Sequence, residues 1–218
     1  MCFSAGASFT SGVILSVAGV ASIRQAQKPS QVFFAAIPLI FATQQLIEGF
    51  LWLALGGKIG AVWQPIFTYA FIFIAQVIWP FWVPFSISLL EPNPKRKKTV
   101  FILTGIGAGI SVTILFRLFF YPVSSSIENH HIAYHLHFPV LVRYLGGACY
   151  FIATVVPTFI SSIRRMKLLG VLIFISYVVA AIFFTKYAIS VWCFFAAIIS
   201  ADIYLIIRGV RKSNEVIS

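Results

Sequence analysis

All four histidines of the chain lie in one polar segment, residues 128–137, between two apolar stretches. If this segment is helical, His131 and His135 lie one turn apart on one face, where two imidazoles can bind a single metal ion. A tetrahedral site needs further ligands, and the side chains that could supply them are Glu48, Glu128, His137 and Cys2. Such mixed ligands favour zinc or copper over magnesium or calcium. The alternative is a solvated loop that binds no metal, because an HxxxH pair also arises by chance.

A second set of polar side chains interrupts an apolar stretch nearer the N-terminus. Gln44, Glu48 and Trp52 follow i, i+4, i+8 spacing and share one helix face, with Gln45 beside them. An ionisable group inside a bilayer is costly unless it is paired or hydrated, so Glu48 marks a candidate site. We expect Glu48 to act as a general base on a metal-bound water, while the two glutamines and Trp52 bind a ligand.

Two arginines are predicted at the same depth as Glu48. At about 1.5 Å per residue, Glu48 lies about 10 Å below the outer end of its helix, and Arg117 and Arg143 lie about one turn from the outer ends of theirs. The three charges would form one outer layer, in which the arginines bind the ligand. The alternative is a structural ion pair between Glu48 and one of the arginines, which would satisfy these charges without a ligand. Elsewhere, Gln76 and Asp202 are predicted to make structural hydrogen bonds to neighbouring helices.

These side chains must be positioned by membrane-spanning helices. The sequence is 60% hydrophobic and only 10% charged, which is too few charges for the surface of a soluble domain. A helix needs about 20 apolar residues to cross the hydrocarbon core. The segments long enough are Ala7–Ile23, Val32–Leu55, Trp63–Leu90, Thr99–Tyr121, Phe138–Ile163, Leu168–Phe184 and Ala188–Ile207. The sequence therefore predicts an all-α, polytopic membrane protein, a seven-transmembrane-helix bundle that forms a single domain over residues 1–218.

Basic residues set the predicted orientation. They follow the first, third, fifth and seventh segments, as Arg24 and Lys28, Lys95–Lys98, Arg164 to Lys167, and Arg208 to Lys212. Positively charged loops stay in the cytoplasm, so the N-terminus is predicted outside and the C-terminus inside the cell. The same residues suit anionic headgroups, which makes membrane lipids the predicted partners. The net charge of +11 does not indicate nucleic acid, since the sequence has no base-stacking or groove-reading module.

Two glycines four residues apart, Gly105 and Gly109, form a GxxxG motif in the fourth segment. Such a motif lets another helix backbone approach closely, and its predicted role is packing. The sequence leaves open whether the chain also forms a homo-oligomer.

The chain resembles a family of small bacterial membrane proteins that has no assigned function. The matching residues are Met1–Ala5, Ile37–Leu39, Gln44–Gly49 with Trp52, and Leu90–Pro92 before a basic run. This resemblance covers most of the chain and implies a seven-helix protein of the bacterial inner membrane. The chain also looks similar to the seven-helix zinc hydrolases of the alkaline ceramidase and adiponectin receptor superfamily. Their zinc ligands come from several separated helices, whereas the histidines here lie in one segment.

Three functions are compatible with these features. The first is an outward-facing polar pocket that binds a metal ion or a small polar ligand, extended in one version to a metal-dependent membrane hydrolase. The second is a solute transporter or receptor in which Glu48 and the arginines recognise the solute or lipid ligand. The third is a structural, partner-binding subunit whose buried charges form only an ion-pair network. Metal analysis of the purified protein would separate the first function from the other two.

Overall fold

The computed structural model describes residues 4–137, 140–183 and 195–217 of the chain, and about 80% of it is helical. The helical elements are α1 (Ala5–Gln25), α2 (Pro29–Ala35), α3 (Ile37–Leu55), α4 (Trp63–Ile72), a π-helix (Phe73–Ile78), α5 (Trp79–Leu90), α6 (Pro94–Phe120), α7 (Val140–Ile160), α8 (Met166–Phe183) and α9 (Ala196–Ile217). Two strands, β1 (Val123–Glu128) and β2 (His131–Leu136), lie between α6 and α7. We count α2 and α3 as one helical unit, and α4, the π-helix and α5 as another. On this count the described part of the chain has seven helical units.

Four of these units are long and apolar enough to cross a membrane, and they are Ala5–Gln25, Pro29–Leu55, Trp63–Leu90 and Pro94–Phe120. Each corresponds to one of the first four predicted segments. The shorter apolar helices Gly146–Ile160 and Met166–Ala180 lie within the fifth and sixth predicted segments. The predicted seventh segment begins outside the described residues and continues into α9. The fold is therefore helical, with four helices that could cross a membrane by their length and composition.

Prolines interrupt two of the long units. Pro38 has no N–H to donate to the carbonyl of Phe34, and the chain passes from α2 to α3 beside it. Pro80 lies in the first turn of α5, directly after the π-helix. Both interruptions free backbone carbonyls that a continuous α-helix would satisfy.

The helices close a ring around a central cavity. α1 packs against α3 and α9, α8 packs against α9 and α7, and α7 packs against α5. α3 packs against α4, which is continuous with α5 through the π-helix and completes the ring. α6 lies against α5 and α7, and most of its surface is exposed, as expected for a helix that contacts lipid.

The closest approach between α5 and α6 is at Gly107. A Cβ atom at this position would lie 1.9 Å from the carbonyl oxygen of Pro80, so only glycine fits. Gly105 and Gly109 are exposed, and a Cβ atom at either would have no described atom within 4 Å. The predicted packing role of the GxxxG pair within this chain is therefore wrong, because the contact is made by the glycine between them.

The hairpin of β1 and β2 covers the beginning of α4. Ser125 makes two of the contacts: its Oγ lies 2.7 Å from Thr68 Oγ1, and its carbonyl oxygen accepts from Gln64 Nε2 at 3.1 Å. The rings of Phe71 and Tyr134 stack with their centroids 4.7 Å apart. These contacts fix the hairpin at one end of the bundle.

The opposite end carries most of the positive charge, and we call it the basic end. Arg96 Nη1 donates to the carbonyl oxygens of Ile160 and Ser161, which joins the start of α6 to the end of α7. Arg211 Nη1 donates to Gln25 Oε1 at 3.2 Å, which joins α9 to the end of α1. Twelve of the sixteen Lys and Arg residues belong to the basic end, and they are Arg24, Lys28, Lys95, Arg96, Lys97, Lys98, Arg164, Arg165, Lys167, Arg208, Arg211 and Lys212.

Candidate functional site

The predicted pair of histidine ligands lies on a strand and not on a helix. In the hairpin, Glu128 is opposite His131 and Ser124 is opposite His135. Residues four apart on a strand are separated by roughly 13 Å, too far for two imidazoles to bind one ion. Asn129 and His130 explain the difference, since their φ angles of 47° and 64° form the two-residue turn that joins the strands.

The two outer histidines contact separate groups. His135 Nε2 lies 2.9 Å from Ser126 Oγ and 3.4 Å from Glu128 Oε1, on an exposed surface. His137 Nδ1 lies 3.2 Å from the carbonyl oxygen of Pro122. The carboxylate and the serine hydroxyl therefore contact the same nitrogen of His135, which is not the arrangement of a catalytic triad.

His131 differs from these two because it is buried. Burial lowers the pKa of its imidazole below the ordinary 6.5, and the neighbouring His130 acts in the same direction. Among the residues that the structure describes, no three His, Cys, Asp or Glu side chains lie close enough to hold a metal ion. The predicted ligand Cys2 lies outside the described residues.

The polar face of α3 lies inside the bundle, as predicted for Gln44, Gln45 and Glu48. All three side chains are at most 1% exposed. Gln45 Nε2 donates to Glu48 Oε2 at 3.3 Å. Trp52, one turn further along, is partly exposed, and its buried indole N–H has no partner among the described residues. The structure thus brings the two glutamines and the carboxylate together.

Arg117 does not complete this group. Its guanidinium lies against α7, where Nη1 would be 3.4 Å from a Cβ atom at Gly146. No ion pair between Glu48 and Arg117 is present, and the side chain of Arg143 lies outside the described residues. A similar predicted depth does not place two charges in contact, because α3 belongs to the ring whereas α6 packs on its outside against α5 and α7.

The central cavity is lined by five of the helical units. Its volume is about 60 Å³, and its lining residues are Ile37, Phe41, Gln44, Ala75, Gln76, Trp79, Val83, Tyr150, Thr154, Ile173, Ile199 and Ile203. None of these is an acid, a lysine, an arginine or a histidine. The cavity can hold more than one water molecule or a ligand of a few non-hydrogen atoms.

Most polar groups at the cavity wall are hydrogen-bonded to the protein. Trp79 Nε1 donates to Gln44 Oε1 at 3.3 Å, and Thr154 Oγ1 donates to the carbonyl oxygen of Tyr150 at 3.0 Å. The Tyr150 hydroxyl donates to the carbonyl oxygen of Ala75 at 2.8 Å. In contrast, the side-chain amide of Gln76 has no hydrogen-bond partner among the described residues. The structural hydrogen bond predicted for Gln76 is therefore absent from this part of the chain, and the residue lines the cavity.

Asp202 makes the structural contact predicted for it. Its Oδ1 accepts from Arg165 Nε at 2.7 Å, which joins α9 to the turn before α8. Here the sequence analysis predicted the role but not the partner.

The sequence analysis missed a third buried carboxylate, Glu91, at the basic end, in addition to Glu48 and Asp202. Glu91 is 3% exposed and accepts hydrogen bonds from Asn93 N, from Ser161 Oγ, and from both the backbone N and the Oγ of Ser162. Burial alone would raise the pKa of Glu91, but these hydrogen bonds outweigh it and hold the pKa below the ordinary 4.5. The sequence did contain a signal for this role, because Glu91 is the single acid next to the basic run Lys95–Lys98 at the end of an apolar segment.

The fold and the cavity define a helical membrane protein with polar side chains at the centre of its bundle. Within this class, the chain belongs to a family of unknown function, DUF6629, whose model matches residues 1–217. This match confirms the resemblance to an uncharacterised family. No curated protein and no solved structure matches the chain, so the likeness to the alkaline ceramidase and adiponectin receptor superfamily has no support.

Proposed function

We propose that this chain is a multi-pass protein of the bacterial inner membrane that binds a small, uncharged polar ligand in its central cavity. The observation that carries the proposal is the side-chain amide of Gln76, which faces the cavity without a hydrogen-bond partner among the described residues. Gln76 is half-buried, and a hydrogen bond between its amide and a neutral ligand would contribute about 0.5–1.5 kcal/mol to binding.

The chemistry of the wall limits the ligand class. An amide offers two donors and one acceptor atom, which suits a ligand that also carries both kinds of group. No charged side chain among the described residues lines the cavity, and a charged ligand would lose its hydration without compensation from them. The volume of about 60 Å³ limits the ligand to a few non-hydrogen atoms. Amides, ureas and small polyols meet these conditions.

The proposed topology has seven spans, with the N-terminus outside and the C-terminus in the cytoplasm. Its support is the concentration of twelve of sixteen basic residues at one end of the bundle. In this topology Gln44 and Gln76 lie near mid-membrane, so the cavity is further from the surface than the outer layer that the sequence analysis proposed. A metal-dependent hydrolase is less favoured, because the described histidines are dispersed over the hairpin.

Acetamide is a suitable probe because it is uncharged and has four non-hydrogen atoms. At the ceiling of about 1.5 kcal/mol per atom for very small ligands, its dissociation constant cannot be below about 0.04 mM, so millimolar titration is needed. We expect acetamide to shift the indole N–H NMR signal of Trp79, which lines the cavity. Acetate, of the same size but charged, should leave this signal unchanged.

Two variants make the test specific. Gln76→Leu should abolish the response to acetamide, because it replaces the amide by an apolar group of similar size. Phe73→Leu, on the same π-helix but 39% exposed on its outer side, should keep the response. An equal response of wild-type protein and Gln76→Leu would contradict the proposal.

A further inference from the structure

We propose that Tyr150 is a positioning residue that holds the π-helix in register and so keeps Gln76 in the central cavity. This inference rests on the proposed function, in which Gln76 binds the ligand. The π-helix is a local departure from α geometry, and such departures are frequent at functional sites.

Pro80 determines which carbonyl loses its partner. In a π-helix, the carbonyl of residue i accepts from the N–H of residue i+5, so the donor for Ala75 would be residue 80. Proline has no N–H, and this bond cannot form. The Tyr150 hydroxyl, on α7, donates to the Ala75 carbonyl oxygen at 2.8 Å and takes the place of the missing donor.

The alternative is an α-helical register through the same residues. The Ala75 carbonyl would then accept from Trp79 N–H, and the carbonyl of Gln76 would lose its donor at Pro80. No side chain of the described structure donates to that carbonyl. The hydroxyl of Tyr150 therefore favours the π register, because it satisfies the carbonyl that this register leaves free.

A second side chain contacts the π-helix from the other side. Ser111 Oγ, on α6, donates to the Val77 carbonyl oxygen at 2.6 Å. Ser111 lies one turn after Gly107, and the close approach at Gly107 brings its hydroxyl within reach of the π-helix. If the π-helix changed to an α-helix, the residues before and after it would rotate relative to each other by roughly 100°. This rotation would move Gln76 away from the cavity.

The hydrogen bonding of the Ala75 carbonyl can be followed by selective labelling. Alanine labelled with ¹³C at the carbonyl and glutamine labelled with ¹⁵N at the backbone are adjacent at only two places in the chain, Ala75–Gln76 and Ala26–Gln27. We expect Tyr150→Phe to move the Ala75–Gln76 signal and to leave Ala26–Gln27 unchanged. The same variant should reduce the acetamide response of Trp79 to that of Gln76→Leu.

Tyr69→Phe is the matched control, because the Tyr69 hydroxyl contacts Val123 N in the hairpin and not the π-helix. It should move neither signal. An Ala75–Gln76 signal that Tyr150→Phe leaves unchanged would overturn the inference. If this signal moves but acetamide has no effect on wild-type protein, the hydrogen bond from Tyr150 to Ala75 is supported and the proposed function fails.

A measurement on wild-type protein covers the case in which Tyr150→Phe does not fold. Magnetisation transfer between the ring of Tyr150 and the carbonyl carbon of Ala75 should be observed, as the hydrogen bond requires. Its absence would also overturn the inference.

Discussion

The basic end and the central cavity differ in the hydrogen bonding of one polar side chain each, the buried Glu91 and the half-buried Gln76. At the basic end, every oxygen of Glu91 accepts hydrogen bonds from the protein itself. In the cavity, the amide of Gln76 faces space lined mostly by apolar side chains and bonds to no described residue. A buried polar group with all partners supplied by the fold stabilises that fold, whereas a group without them is available to a ligand. The difference indicates a structural role for Glu91 and a binding role for Gln76.

The largest expected effect is on the packing of α6 against α5, the helix that lines the cavity with Trp79 and Val83 and ends just before Glu91. Gly107→Ala would place a Cβ atom 1.9 Å from the Pro80 carbonyl oxygen and force α6 away from α5. We expect a loss of about 2–3 kcal/mol in the free energy of unfolding, measured by thermal unfolding in detergent or nanodiscs.

The control for this change is Gly105→Ala, two residues away on the exposed face of the same helix. It should be neutral or stabilise by up to about 1 kcal/mol, because alanine is the better helix former. Equal destabilisation by the two substitutions would show that the Pro80 contact does not determine the outcome.

The second expected effect tests the basic end. Glu91→Gln keeps the size of the side chain but replaces one acceptor oxygen by an NH₂ group, which cannot accept from Ser162 N or Asn93 N. We expect a loss of about 2 kcal/mol in the free energy of unfolding, because at least one buried donor loses its partner. Glu128→Gln, in the exposed hairpin, should cost less than about 0.5 kcal/mol.

The acid dependence of the same variant gives an independent check. Since the pKa of Glu91 in the folded protein is below 4.5, the unfolded chain takes up a proton first as the pH falls. The stabilisation by Glu91 is complete above pH 4.5 and is lost as the pH falls through the lower pKa of the folded state. The stability difference between wild type and Glu91→Gln should therefore narrow below pH 4.5. A constant difference would contradict the structural role of the charge.

The smallest expected effect is in the cavity. Gln76→Leu, which abolishes ligand binding in our proposal, should change the free energy of unfolding of ligand-free protein by less than about 1 kcal/mol, and in the stabilising direction. The reason is that no hydrogen bond to a described residue is lost and apolar surface is gained. A loss as large as that of Glu91→Gln would mean that Gln76 is structural, which would remove the contrast between the two regions.

Part of the candidate site was predictable and part was not. The spacing of Gln44 and Glu48 on one helix face predicted their burial, since a polar face in an apolar helix is not placed against lipid. The prediction from the histidine spacing was wrong, because two histidines four residues apart are neighbours on a helix but lie far apart on a strand. The signal for the strand was Asn129, which tolerates the positive φ of a two-residue turn, between two stretches that carry Val123, Ile127 and Ile132. For Gln76 the sequence predicted a structural hydrogen bond and not a place in the cavity wall, since the π geometry at this residue involves a contact from Tyr150 on another helix.

By itself, the sequence determined the apolar helices and their approximate ends. It also determined that the basic residues follow every second apolar segment and so gather at one end of the bundle. These properties follow from composition along single segments, because a helix satisfies its own backbone hydrogen bonds. Only the tertiary structure decided which polar groups are satisfied and which face a cavity. Those properties depend on contacts between helices far apart in sequence, such as Tyr150 with Ala75 and Glu91 with Ser161. Similar depth along two helices does not determine such contacts, because the position of each helix in the ring sets its neighbours.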